Sequence, residues 1–279
     1  AGGASSPSCL QGLGIPYVTL YYAFLNNTGD PCQLYSLPLM TSSIYAQRYI
    51  EAVHAMLAAL AKIPVASGGT LASRVAGVTV AAYIVLTSEM RIPGMGCSVG
   101  DVNQTAAQQA ALWATAGYTS ADALSIYQTI IRGIASDEAL PNDAVLLQNV
   151  MRGEKESFPQ PVGATPVLQP LLAASNAALG TRFVVSWNMV SEFGALPPRD
   201  VITAASAGTP LALQFNATAQ GVTSCRGKLP NGHLDPIPAT PACFQAMQPR
   251  NTAVIPQQSY LALWQVPPAD FSVPGYFAN

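Results

Sequence analysis

Charge is scarce in this sequence. Lys, Arg, Asp and Glu together make up 9% of 279 residues, the net charge is −2, and no Lys/Arg cluster occurs. Without clustered cations nothing can neutralise a phosphate backbone, so nucleic acid is excluded as a partner. Histidine is scarcer still, limited to His54 and His233. A nucleophilic hydrolase needs a base beside its Ser or Cys, almost always His, and no Gly-x-Ser-x-Gly elbow is present. The glycine motifs that cradle nucleotide phosphates are missing as well. His233 follows Asn231-Gly232 and reads as a solvated turn residue. Long apolar runs are also lacking. The most apolar one, Val75 to Leu86, is fenced by Arg74 and Glu89 and supplies about half of the roughly 20 residues a spanning helix needs. The charge-free stretch Val201 to Cys225 is broken by Pro, Gly, Asn and Ser, so no membrane span is expected.

Apolar bulk, by contrast, is plentiful: 50% of the chain is hydrophobic, enough for one large domain or two ordinary ones. With so little charge, the surface has to be built from Ser, Thr, Asn, Gln, Gly and Pro. Three features point to the secretory route and a secreted or cell-surface location. The sequence starts Ala1-Gly2-Gly3-Ala4, as after removal of a signal peptide. Asn-x-Thr acceptors for glycosylation stand at Asn26, Asn103 and Asn216. Cys9, Cys32, Cys97, Cys225 and Cys243 show neither CxxC nor metal-finger spacing, which leaves disulfides. A Cys225–Cys243 bond would close a short Pro-rich loop and contribute roughly 3 kcal/mol. Cys9 with Cys32 is the expected second pair, pinning the Gly-rich N-terminal segment. Cys97 is then buried or paired between chains, and spacing alone does not fix the connectivity.

Periodicity changes along the chain. Residues 1–40 surround one apolar core, Ile15 to Leu25, whose Pro16 suits a first helical turn as well as a strand. Thr41-Ser42-Ser43 offers N-caps for a helix to about Ile63, with Tyr45, Tyr49, Val53, Met56 and Leu60 on one stripe. Residues 71–91, apolar on nearly every side, are expected as a second, central helix. Asp101 caps an Ala/Gln-rich helix to about Ala116, and Thr119-Ser120-Ala121-Asp122 resembles a capping box for a helix to about Glu138. Asn142-Asp143 can restart that helix toward Arg152. Beyond Phe158-Pro159-Gln160-Pro161, short β-prone runs at 183–190, 211–218 and 260–266 are separated by turn residues, as in a small antiparallel sandwich. The expected fold class is α+β. Residues 1–160 form an antiparallel helical bundle, and residues 161–279 a smaller, Pro-rich, β-rich region.

Glu51 and His54 stand at i, i+3, so both project from one face of the first periodic helix. That Glu-x-x-His element holds iron or manganese in carboxylate-bearing four-helix bundles. Taken alone, the spacing is a weak signal, and a surface ion pair of Arg48 with Glu51 beside a neighbouring imidazole is the preferred reading. Around it, Gly77-Val78-Thr79-Val80-Ala81-Ala82-Tyr83, Glu138-Ala139 and Phe158-Pro159-Gln160-Pro161 follow in order. In this respect residues 10–165 resemble the secreted ferritin-like proteins of the plant desiccation-related and fungal stress-response type. The resemblance implies a ferritin-like bundle with metal ligands on its helices, of which Glu51, His54 and Glu138 are in place. Ala76 and Pro141 stand where two further ligands belong, and the first apolar segment carries no carboxylate.

The leading expectation is therefore a secreted, non-catalytic, stress-related or structural protein without a cofactor. Its Gln/Asn/Thr surface suits self-association or contact with cell-wall carbohydrate. The alternative is a protein or enzyme binding a single Fe, Mn or Zn ion through Glu51, His54 and Glu138. A third reading is a binder of an apolar ligand inside the bundle.

Overall fold

The computed structural model describes residues 10, 12–23, 32–83, 90–150, 152–190, 198–216 and 258–264. They divide into two compact units, the first comprising residues 1–148 and 152–183, the second 149–151 and 184–279.

In the first unit, strand β1 (Tyr17–Tyr22) pairs antiparallel with β2 (Gln33–Pro38). Helix α1 (Ser43–Leu60) follows, started by the Ser42 hydroxyl, which accepts a hydrogen bond from the Tyr45 amide. A 3₁₀ turn at Ala72–Arg74 leads into the short strand β3 (Gly77–Thr79). A hairpin of β4 (Gly96–Val99) and β5 (Val102–Thr105) runs directly into α2 (Ala106–Thr115), where Thr105 and Gln108 form a capping box. Helix α3 (Ser120–Ala135) is capped by Thr119 and precedes β6 (Val145–Val150). A single turn, α4 (Glu154–Ser157), and α5 (Leu168–Leu179) complete the unit.

Two layers result. Helices α1, α3 and α5 pack side by side in that order. α1 and α3 reach, through their tyrosines, the residues just after β3 and strand β6, and β3 pairs with β6 in parallel with Gly77 opposite Val145. Tyrosines fasten the layers together. The Tyr45 hydroxyl donates to the Ala82 carbonyl, the Tyr49 oxygen accepts from the Ala81 amide, and the Tyr127 hydroxyl donates to Gln148 Oε1. Tyr83, its ring 5.6 Å from that of Tyr127, donates to the Ala123 carbonyl. The Pro-rich segment after Phe158 is held at both ends. Phe158 is fully buried, and both Glu154 carboxylate oxygens accept from the Val167 and Leu168 amides at the start of α5.

Burial raises the pKa of Tyr45, Tyr49, Tyr83, Tyr118 and Tyr127 above the ordinary tyrosine value. The fold thus favours the neutral phenol. Its contribution is fully present below about pH 10 and is lost as pH rises through the raised folded values. Absorbance titration at alkaline pH should show these phenolates appearing together with loss of the circular dichroism signal. Reversible ionisation of all tyrosines with the fold intact would contradict this packing.

In the second unit β7 (Phe183–Val190), α6 (Arg199–Ser206), β8 (Leu211–Asn216) and β9 (Gln258–Trp264) follow one another. β7 pairs with β8, and β8 with β9, both in parallel. β8 is thus the middle strand of this unit, in the order β7-β8-β9.

This is a mixed α/β architecture built on parallel strands, and it replaces the expected ferritin-like bundle with an antiparallel sandwich. Among the described residues of 71–91 there is no central helix: Gly77–Thr79 is a strand, and so is 145–150, where a restarted helix was expected. Strands also precede residue 180, at β1 to β6. The reason lies in length and burial. β3 is three residues, too short to show a period, and β6 buries five of its six residues, Gln148 and Asn149 included, so no alternation of apolar and polar residues marks either as a strand. Gly77 belongs to the strand for a steric reason, since a Cβ there would lie 2.8 Å from Val145 Cγ2.

Candidate functional site

The β1 strand, the β4–β5 hairpin and α2 form a second cluster within the first unit, organised by one buried amide. Gln109 Nε2 donates to the Tyr21 carbonyl and to Gln104 Oε1, and Gln109 Oε1 accepts from the Gly96 amide. Gln104 Oε1 also accepts from the Tyr21 amide at 2.9 Å. Two glutamines thereby join three strands and a helix, satisfying backbone groups that no sheet partner reaches. Beneath them, the fully buried Trp113 donates its indole N–H to the Pro93 carbonyl. A disulfide from Cys32, just before β2, to Cys97 on β4 closes the cluster.

An open groove of about 520 Å³ lies over this frame. One wall is α2, which presents Gln108, Ala111, Leu112 and Thr115 at the i, i+3, i+4, i+7 spacing of a single helix face. Opposite stand Tyr21 of β1 and the hairpin residues Asp101, Asn103 and Gln104. A second cavity of about 370 Å³ flanks the other side of β5 and shares Asn103 and Gln104. The larger groove thus combines an aromatic ring and an exposed Leu112 with neutral amides, a hydroxyl and one carboxylate. Among the described residues its lining includes no Lys, Arg or His. Such a lining can hold a neutral, polyhydroxylated ligand by apolar contact and by amide and hydroxyl hydrogen bonds.

The sequence-derived candidates lie elsewhere. Glu51 is exposed, 2.7 Å from Arg48 Nη1 and 2.9 Å from Gln47 Nε2, and these donors hold its carboxyl below the usual range. His54 Nε2 is 3.0 Å from the Gly133 carbonyl, so that nitrogen donates, and it lies 3.6 Å from Asp137 Oδ2. Glu138 is exposed in the turn after α3. Among the described residues, no group of three or more His, Cys, Asp or Glu could hold a metal. Cys32 bonds to Cys97 rather than to Cys9, and Cys97 is buried within its own chain. Cys9, Asn26, Cys225, His233 and Cys243 lie outside the described residues, as does the side chain of Asn216 at the end of β8. Asn103 is exposed on β5. Among the described residues, no helix is long and apolar enough to cross a membrane.

Sequence reasoning found Asn103 but missed its surroundings. The signal for α2 was present in the repeat Gln108, Ala111, Leu112, Thr115; nothing local announces that Tyr21, more than 80 residues earlier, faces it. Compared with known proteins, the chain matches no family model and no curated protein.

Proposed function

We propose that this chain is an extracellular, non-catalytic binding protein that holds a neutral saccharide in the groove between α2, β1 and the β4–β5 hairpin. The observation carrying the reading is the uncharged face of α2, Gln108, Ala111, Leu112 and Thr115, set across from Tyr21. Sugars offer apolar C–H faces for an aromatic ring and a rim of hydroxyls for amide donors and acceptors, and this lining supplies both. Lacking a cation, the groove favours neutral over phosphorylated or acidic ligands. The Cys32–Cys97 bond supports an oxidising compartment, where disulfides persist. Cell-wall polysaccharide is the ligand source that fits such a location.

The test is a survey of neutral oligosaccharides against full-length protein made where disulfides form but Asn-linked sugars are not added. At least one neutral oligosaccharide should bind, and Tyr21→Ala should weaken it at least tenfold while the circular dichroism spectrum is kept. Absence of any neutral-saccharide binding, or undiminished binding by Tyr21→Ala, would refute the reading.

A further inference from the structure

We propose that Asn103 carries an Asn-linked oligosaccharide and that this glycan is the resident occupant of the groove beside α2. Asn103-Gln104-Thr105 is the acceptor triplet, and the structure sets it in extended strand β5. There, alternate side chains share a face, so Asn103 and Thr105 are both exposed while Gln104 turns under to bind the Tyr21 amide. Inward and outward roles are thus divided: Gln104 belongs to the frame, and Asn103 is presented.

Position decides what the glycan would meet. Asn103 lines the groove of about 520 Å³ on one side of β5 and the cavity of about 370 Å³ on the other. A sugar bonded to Asn103 Nδ2 therefore starts at the rim, with Tyr21 and Leu112 within the same groove. Tethering replaces a bimolecular encounter by an effective concentration of order millimolar, enough to fill a weak site. The modification itself takes a lipid-linked oligosaccharide diphosphate as donor. The amide Nδ2 forms a bond to sugar C1, the C1–O bond to the diphosphate breaks, the diphosphate leaves with the electron pair, and the amide proton passes to a base. The occupancy half of the proposal rests on the saccharide reading above; attachment at Asn103 does not.

Thr105 permits a clean test because its hydroxyl serves two purposes, acceptor triplet and N-cap of α2. Thr105→Asp keeps a capping oxygen and destroys the triplet, whereas Thr105→Ser keeps both. Thr105 lines the smaller cavity and not the larger groove. Wild type and both variants are to be secreted from a glycosylating host. Amidase release of glycans in heavy-oxygen water then reads occupancy by mass spectrometry, and calorimetry with free N,N′-diacetylchitobiose reads groove access. Wild type and Thr105→Ser should show Asn103 converted to labelled Asp and bind the free disaccharide at least tenfold more weakly than Thr105→Asp. An unmodified Asn103 in wild type overturns the inference and leaves the saccharide reading standing. Equal binding by glycosylated wild type and Thr105→Asp overturns self-occupancy. If Thr105→Asp binds neither this disaccharide nor any neutral oligosaccharide of the survey, the parent reading falls and self-occupancy with it.

Discussion

Reduction of the Cys32–Cys97 bond is expected to cost the first unit about 4 kcal/mol of stability, since the bond ties residues 65 apart in sequence. In the chain-entropy account that loss arises in the unfolded state, where the cross-link removes conformations from a long loop. The native contribution is local: the bond joins the chain entering β2 to β4, whose first residue, Gly96, donates its amide to Gln109 Oε1. Thermal unfolding with and without reductant should differ by on the order of 10 °C. A double Cys32→Ser, Cys97→Ser variant should match the reduced protein. If a non-reduced digest yielded Cys32 joined to Cys9, or if reduction left the melting temperature unchanged, this placement of the bond would be wrong.

Gly96→Ala should be comparably damaging, for two reasons that can be separated. Gly96 adopts φ +83°, and a Cβ there would lie 2.7 Å from the Gln104 carbonyl oxygen and 2.8 Å from the Ala106 nitrogen. An L-residue at positive φ costs about 1–2 kcal/mol, and forcing atoms against backbone adds about 1–3 kcal/mol, so a loss of about 2–5 kcal/mol is expected. Gly100, at the tip of the same hairpin, supplies the control. Its φ is +61° and a Cβ there meets nothing within 4 Å, so Gly100→Ala should carry only the conformational cost. Denaturant titration of the two variants measures the difference. Equal losses would mean that Gly96 is not pressed against β5 and the start of α2.

Where a signal was local, the sequence was informative. Ser42 and Thr119 were legible as caps because their hydroxyls answer amides three residues on, and α1 and α3 begin there. The stripe on α1 was only partly right: Val53 is buried, but Met56 is exposed and Leu57 takes its place inside. The β-prone runs at β7, β8 and β9 were found, yet their parallel pairing was not. Recognising it required the helix Arg199–Ser206 between β7 and β8, because a parallel neighbour demands a crossover. Glu51-x-x-His54 drew the eye through spacing alone, whereas its partners are set by Arg48 on one side and by the close approach of α3 at Gly133 on the other. A groove assembled from β1, β5 and α2 could not be read from any single segment.

The brevity of β3 has a consequence for aggregation of so apolar a chain. β3, at one edge, is only three residues long and begins with glycine. Exposed sheet edges recruit strands from other molecules through their unpaired N–H and C=O groups, and very short edge strands are one way proteins prevent it. An incoming strand at β3 would gain too few backbone hydrogen bonds to repay its ordering. Half of this sequence is hydrophobic and little of it is charged, so charge repulsion offers weak protection against aggregation. At this end of the sheet the brevity of the edge provides it instead.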